Sequence, residues 1–286
     1  MSQPTLDMMA VRRMALDAMA DLPGPPTGHR PLTAIRLDLA EYKVAEGSGA
    51  QQSRVQESGV QGSGEVSASL VDAVTDLLVR DDGTNGAGAA VVTGVSRYFD
   101  LPVARLFHEV LFRRVWDRFR HRCGRESPGD HFQIKINVTS DGAIPLELYG
   151  SEWSFKQLHM DRDALLFSHL YGPVAGFTGG ALLLADVRTY LHRHGLRFDD
   201  LFEWSKEATP GSKPVLRAEH LAAVMAECGV DIGSPGPDEI IFVNNLPSAG
   251  ILHGVTPVAL TAEDRFVRTF HRCSVKGVPW RPAQPA

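Results

Sequence analysis

The sequence contains little cysteine and no long apolar run. Its three cysteines, Cys123, Cys228 and Cys273, are scattered, odd in number and without a CxxC spacing. This pattern indicates neither a disulfide framework nor a thiolate zinc site, and it is typical of reduced thiols. No stretch approaches the roughly 18 apolar residues of a membrane-spanning helix. We therefore expect a cytoplasmic protein that does not act at a membrane.

An excess of basic charge is also absent. The formal net charge is −5 and the pI is about 6.1, whereas a general nucleic-acid binder needs a basic stripe that displaces counterions. The 286 residues, 43% of them apolar, are sufficient for one large domain with a sizeable core. The composition favours a small-molecule partner over nucleic acid and leaves the oligomeric state open.

The first 90 residues carry no recognisable motif. Apolar residues recur at helical spacing between positions 4 and 21 and again from Ser69 to Val79, so we expect a helical N-terminal extension. Between 46 and 67, Gly, Ser, Gln and Glu dominate, and the valines are too isolated to form a buried face. That composition predicts an exposed flexible loop, and whether the loop closes as a lid stays open.

The segment Leu101–Arg122 is the strongest helical pattern in the chain. Apolar residues recur at Val103, Leu106 and Val110 and again between 112 and 115, which predicts that this stripe packs along the outside of a sheet. Five arginines lie between 113 and 122. They indicate a solvated face rather than a nucleic-acid patch.

From residue 131 the pattern changes to period two. Between 131 and 138 apolar residues alternate with His131, Gln133, Lys135 and Asn137, so one strand face is polar. That face meets either water or a ligand inside a barrel, and the pattern leaves both open. Further short strands follow at 144–149, 153–161, 164–170, 181–187, 239–244, 250–253 and 265–275. Together they indicate a sandwich or barrel, interrupted by a helical insertion at 188–230.

Two separated stretches could hold one metal ion. His159 and Asp161 are two residues apart, so in a strand both side chains leave the same face. A second imidazole, His253, would complete the set, and two histidines with one carboxylate are typical of non-haem Fe(II) oxygenases, which keep open coordination positions. The His-x-Asp pair alone is weak, since a chain with 11 histidines contains roughly one by chance.

Several motifs occur in one order along the chain. His159-Met160-Asp161 is followed by a Gly-Gly turn with an apolar strand at 179–186, then by Leu252-His253-Gly254 with a Thr-Pro-Val at 256–258, and finally by an arginine-bearing strand. This ordered set resembles the Fe(II)/2-oxoglutarate-dependent dioxygenase superfamily. The spacing from Arg268 to Arg272 is similar to the RxxxR ending of its taurine-dioxygenase and clavaminate-synthase branches.

The resemblance implies an α+β fold with a mainly β core. That core would be a double-stranded β-helix, or jelly roll, flanked by N-terminal and inserted helices. The chain would form a single oxygenase domain over 1–286, with the jelly roll at 130–275 and the helical insertion at 188–230. Iron would be bound at the open end of the barrel by His159, Asp161 and His253.

The resemblance also implies binding sites for 2-oxoglutarate and substrate. The co-substrate would chelate iron through its 1-carboxylate and 2-oxo oxygens, and its far carboxylate would need a cation. Arg268 is the first candidate and Arg265 the alternative, because a guanidinium matches a carboxylate in two parallel hydrogen bonds. Thr178 would add a hydroxyl contact. Substrate contacts are expected from Arg272, which would meet an acidic group, and from Trp153, Phe155, Asn137 and His131.

The activity implied is hydroxylation of an unactivated C–H bond. Fe(II), 2-oxoglutarate and O2 would be required, with ascorbate as a candidate reductant, and succinate and CO2 would be released. We expect the substrate to be an amino acid, an amino-acid derivative or another small acidic metabolite. Related halogenases carry a small residue where Asp161 stands, so hydroxylation is favoured over halogenation. Desaturation, cyclisation and epimerisation remain alternatives, as does a cupin-like metal protein that does not use 2-oxoglutarate.

Overall fold

The fold combines helices with four β-sheets. The computed structural model describes residues 30–42, 66–80, 85–124, 131–140, 158–161, 164–204, 214–233, 236–256, 258–261 and 267–277. The described helices are α1 (Leu39–Tyr42), α2 (Ala68–Leu78), α3 (Leu101–Arg122), α4 (Val187–His194), α5 (Phe198–Leu201) and α6 (Ala218–Cys228). The predicted helix at 4–21 and most of the predicted loop at 46–67 lie outside these ranges.

Thirteen strands are described, and all but two of them follow residue 130. They are β1 (Arg36–Asp38), β2 (Ala89–Thr93), β3 (His131–Ser140), β4 (Ala164–Ala175), β5 (Phe177–Gly179), β6 (Leu182–Asp186), β7 (Phe202–Trp204), β8 (Pro214–Leu216), β9 (Gly229–Gly233), β10 (Ile240–Asn244), β11 (Ile251–Val255), β12 (Val258–Leu260) and β13 (Val267–Lys276). The α+β class is therefore confirmed. The jelly roll stays a prediction, because the expected strands at 144–149 and 153–157 fall outside the described residues.

A six-stranded sheet forms the larger layer, in the order β1-β2-β10-β4-β13-β3. Its pairs are antiparallel except β1 with β2. Strands β13 and β3 are paired from Val267 opposite Ser140 to Lys276 opposite His131. Because side chains alternate along a strand, this register decides which residues of β13 face each side of the sheet.

A three-stranded sheet, in the order β11-β6-β9, forms the smaller layer. It meets the larger sheet where the ring of Phe167, on β4, lies 4.7 Å from that of His253, on β11. Strands β12 and β5 form a separate pair, as do β7 and β8. The segment 188–230, predicted as helical, therefore also contributes β7 and β8 to the structure.

Helix α3 covers the outer face of the large sheet over the predicted residues. The Asp100 side chain accepts a hydrogen bond from the Val103 N–H and caps the helix, and basic residues end it. The predicted stripe was wrong at Leu106 and Val110, which are 57% and 46% exposed. The buried face instead contains Ala104, Phe107, His108, Leu111, Phe112, Val115, Trp116 and Phe119.

The error in the stripe has a physical cause at His108. Burial, followed by the neighbouring His271, holds the pKa of His108 well below its usual value, so a neutral imidazole occupies the buried face, where its ring nitrogens meet His271 and Ser168. The predicted stripe does not include His108, and the observed buried face lies about one residue away from it. None of the helices in the described ranges is both long enough and apolar enough to cross a lipid bilayer.

A buried ion pair joins the helical layer to the smaller sheet. Arg80, which follows α2 and is 2% exposed, donates to both carboxylate oxygens of Asp186, at 3.1 and 2.7 Å, and to the Ala249 carbonyl at 2.5 Å. Asp186 ends β6 and also accepts a hydrogen bond from the Thr189 hydroxyl in α4. One guanidinium therefore stabilises the chain entering α4 and the chain entering β11.

We expect Arg80→Met to lower the free energy of unfolding by about 3–5 kcal/mol, because it leaves the Asp186 charge buried without its partner. The matched control is Arg97→Met, which breaks a pair with Asp38 whose side chains are 61% and 37% exposed and should cost no more than about 1 kcal/mol. Urea unfolding followed by circular dichroism measures both. Equal losses in the two variants would contradict the structural role given to Arg80.

Candidate metal centre

The two histidines of the predicted metal site face each other across paired backbones. The His159 N–H donates to the His253 carbonyl at 2.9 Å, and the His253 N–H donates to the His159 carbonyl at 3.0 Å. Residues paired in this way stand side by side on the same face, and the two imidazole centroids are 4.3 Å apart. The segment carrying His159 also pairs with Val215 of β8, from the inserted region.

Asp161 brings its carboxylate to both imidazoles. Its Oδ1 atom lies 3.7 Å from His159 Nε2 and 3.6 Å from His253 Nε2. The alternate residues of this segment, Leu158 and Met160, are 0% and 3% exposed and pack into an apolar cluster with α4 and α6. Period-two alternation therefore directs the polar side chains of 159 and 161 to one side and the apolar ones to the other.

A glycine allows the chain to enter β11 next to this site. Gly250 has a φ of +66°, and a Cβ atom there would lie 2.8 Å from the Cβ of Arg188. Its carbonyl accepts a hydrogen bond from the Val187 N–H. The left-handed conformation and the close approach both require glycine, and His253 follows three residues later on the strand.

Arg272, on β13, binds the outer oxygen of the same carboxylate. Its guanidinium donates to Asp161 Oδ2 and lies over the Phe167 ring, 4.6 Å from the centroid. Burial acts to raise the pKa of Asp161, but Arg272 and the two neighbouring histidines hold that pKa well below its usual value. The carboxylate is thus ionised, with Oδ2 bound to Arg272 and Oδ1 directed at the histidines.

Asn245 holds the backbone of Asp161 in place. Its Oδ1 accepts from the Asp161 N–H at 3.0 Å, and its Nδ2 donates to the carbonyls of Asp161 at 2.9 Å and Ala164 at 2.6 Å. Asn245 is 1% exposed. In the sequence, Asn245 is marked only as the second of two asparagines at the end of a buried strand.

The donor atoms fit a single transition-metal ion. One ligand atom from each of His159, Asp161 and His253 lies within 4.8 Å of the others. Two ligands at about 2.1 Å from an ion and at right angles would be about 3 Å apart, so the 3.7 and 3.6 Å from Asp161 Oδ1 to the two imidazoles need to close by about 0.6–0.7 Å. Two imidazoles and one carboxylate suit Fe(II) and leave other coordination positions for exogenous ligands.

The strand pairings locate four of the other predicted site residues, namely Arg268, Asn137, His131 and Thr178. Arg268 lies on β13 opposite Thr139 and Val174, four residues or about 13 Å along the strand from Arg272. Asn137, opposite Phe270, lies between those two positions, whereas His131 is exposed and lies at the far end of β3, opposite Lys276. Thr178 is exposed on β5, opposite Ala259 of β12. Trp153, Phe155 and Arg265 lie outside the described residues.

We expect Asn245→Ala to lower affinity for Fe(II) by about 10–100-fold, because Asp161 loses its backbone support. Stability should fall by about 1–3 kcal/mol, because buried backbone groups lose their partners. The control, Asn244→Ala, removes buried bonds to Leu78 and Leu246 and should cost similar stability without changing Fe(II) affinity. Anaerobic titration with Fe(II) and urea unfolding measure these quantities, and unchanged affinity in Asn245→Ala would contradict this role.

Comparison with known proteins gave matches among solved structures alone. No protein-family model matches the chain, and no curated protein does. The iron and alpha-ketoglutarate-dependent endoperoxidase NvfI is similar at 14% identity, over 67% of this chain and 79% of that one, with a TM-score of 0.35. A taurine dioxygenase from Burkholderia xenovorans is similar at 12% identity, over 80% of this chain and 88% of that one, with a TM-score of 0.38. These structural neighbours belong to the enzyme class that the sequence motifs resemble.

Proposed function

We propose that the protein is an Fe(II)/2-oxoglutarate-dependent dioxygenase that hydroxylates a C–H bond of a small acidic molecule. The observation that carries the proposal is the convergence of His159, Asp161 and His253, with the guanidinium of Arg272 against the same carboxylate. A structural zinc site would have four protein ligands and no open position. Three ligands of this kind suit a centre that must also bind a co-substrate and oxygen.

When bound, iron and 2-oxoglutarate supply the oxidising power, taken from O2 as 2-oxoglutarate is converted to succinate and CO2. The protein's own residues then have two tasks. His159, His253 and Asp161 hold the metal on one side, while Asn245 fixes the backbone of Asp161 and Arg272 orients its carboxylate. Because Asp161 is present, we favour hydroxylation over halogenation.

The two arginines of β13 are suited to two different acids. In this proposal Arg268 binds the far carboxylate of 2-oxoglutarate, and Arg272 binds an acidic group of the substrate while one of its N–H donors stays on Asp161. A guanidinium can hold both acids because it carries five N–H donors and stays charged. The Phe167 ring, in contact with both Arg272 and His253, places an apolar surface next to the metal ligands.

The first experiment combines anaerobic spectroscopy with turnover. Protein mixed with Fe(II) and 2-oxoglutarate should show the visible charge-transfer absorption of an iron-chelated 2-oxo acid. Admission of O2 with a panel of amino acids and acylated amino acids should yield succinate and a product heavier by one oxygen atom. Asp161→Ala should reduce succinate formation by more than about 100-fold, beyond the 10–100-fold typical of residues that only support a ligand.

The outcomes of that experiment distinguish the alternatives. A metal-loaded protein with no charge-transfer absorption and no succinate would favour the cupin-like protein and overturn the proposal. Succinate accompanied by a product that has lost two hydrogens would favour desaturation or ring closure. Succinate with an inverted stereocentre would favour epimerisation.

The arginine assignments give a separate prediction. Arg268→Gln should raise the KM for 2-oxoglutarate by about 10–100-fold, the equivalent of the 1.5–3 kcal/mol of a hydrogen bond to a charged group. Arg272→Gln should raise the KM for the acidic substrate instead, with iron content measured because this variant also frees Asp161. Arg265→Gln is the control and should change neither value, because side chains three residues apart in an extended strand leave opposite faces. A large rise in the KM for 2-oxoglutarate in Arg265→Gln alone would show that Arg265, and not Arg268, binds the co-substrate.

A further inference from the structure

A second group of metal-ligating side chains lies on the other side of the large sheet. It consists of His108 from α3 and of His271 and Cys273 from β13, and these three residues are 0%, 2% and 0% exposed. His271 and Cys273 share a strand face because they are two residues apart. Arg272, between them, points to the opposite side and contacts Asp161. The group is therefore distinct from the candidate metal centre.

The two imidazoles face each other through the same ring atom. His108 Nδ1 lies 3.0 Å from His271 Nδ1. Their outer nitrogens each meet an oxygen: His108 Nε2 is 2.5 Å from the Ser168 hydroxyl, and His271 Nε2 is 3.1 Å from a carboxylate oxygen of Glu109. Without a metal, Ser168 donates to His108, which donates to His271, which donates to Glu109. This chain satisfies every imidazole nitrogen.

None of the hydrogen bonds in that chain involves the Cys273 thiol. Cys273 lies on β13 opposite Ser168 of β4, in the same buried interface. One ligand atom from each of His108, His271 and Cys273 lies within 4.8 Å of the other two. A thiol brought this close to two imidazoles completes a donor set that zinc-type ions prefer.

We propose that His108, His271 and Cys273 bind a zinc-type divalent ion between α3 and the large sheet, with a water molecule as the fourth ligand. Two nitrogens bound to tetrahedral zinc at about 2.05 Å lie about 3.3 Å apart, close to the 3.0 Å between the Nδ1 atoms. Both outer nitrogens are already next to oxygen atoms, and metal-ligating histidines almost always donate their other N–H to such a partner. Glu109 and Ser168 therefore act as positioning residues.

The charges and protons of this binding step balance. The Cys273 thiol releases one proton to solvent and binds as a thiolate, and the His108 proton moves from Nδ1 to Nε2, where it is donated to the Ser168 oxygen. The thiolate and the Glu109 carboxylate offset the double positive charge of the ion and so lower the cost of its burial. The Glu109 side chain is 30% exposed.

The experiment uses the full chain with the candidate metal centre disabled by Asp161→Ala and His253→Ala. Zn(II) should bind at one ion per chain with the release of one proton, and Co(II) should give the near-ultraviolet absorption of a thiolate-to-cobalt charge transfer. The first centre contains no thiol, so this absorption cannot arise there. Adding Zn(II) should also raise the Tm of this protein.

Two further variants assign the thiol. In the disabled background, Cys273→Ser should abolish the cobalt absorption and the zinc-dependent rise in Tm. The control, Cys123→Ser with Cys228→Ser, leaves Cys273 as the only cysteine of the chain and should keep both, so it decides the question even where Cys273→Ser fails to fold. Absence of zinc binding in the disabled protein, or a cobalt absorption that survives Cys273→Ser, would overturn the proposal. Neither result depends on 2-oxoglutarate or on the proposed hydroxylation.

Discussion

The candidate metal centre depends on one backbone pairing, the reciprocal hydrogen bonds between His159 and His253. Residues about ninety apart in the chain become neighbours because each donates its N–H to the carbonyl of the other. The pairing is local and geometric, so it needs no metal to assemble it. Two imidazoles held on fixed backbones lose little conformational freedom when an ion binds, and such preorganisation is what a metal site requires of its scaffold.

Support for the third ligand comes from different parts of the fold. Asn245 follows the end of β10 and binds the backbone of Asp161, whereas Arg272 belongs to β13 and binds its side chain. The Asn245 contact fixes the backbone position of Asp161. The Arg272 contact occupies Oδ2 and leaves Oδ1 available to a metal ion. The buried ion pair of Arg80 and Asp186 supports the second histidine ligand. It stabilises the ends of β6 and β11, and β11 carries His253.

Local patterns predicted the elements better than the contacts between them. The range of α3 follows from its apolar repeat, and β13 and β4 follow from alternating or apolar runs. The convergence of His159, Asp161 and His253 follows from motif order. Asn245 and Arg272 lie 84 and 111 residues from Asp161, and no spacing in the sequence encodes which strand will lie beside which. The same limit concealed the group formed by His108, His271 and Cys273.

Strand β13 serves both sides of the large sheet with consecutive residues, since Arg272 faces Asp161 while His271 and Cys273 face α3. Because strand side chains alternate singly, gain or loss of one residue within 267–276 would exchange the two sets, placing a guanidinium among the aromatic rings of α3 and imidazoles beside Asp161. Within 267–276 a substitution can therefore leave both sides of the sheet intact, whereas insertion or deletion of a single residue cannot.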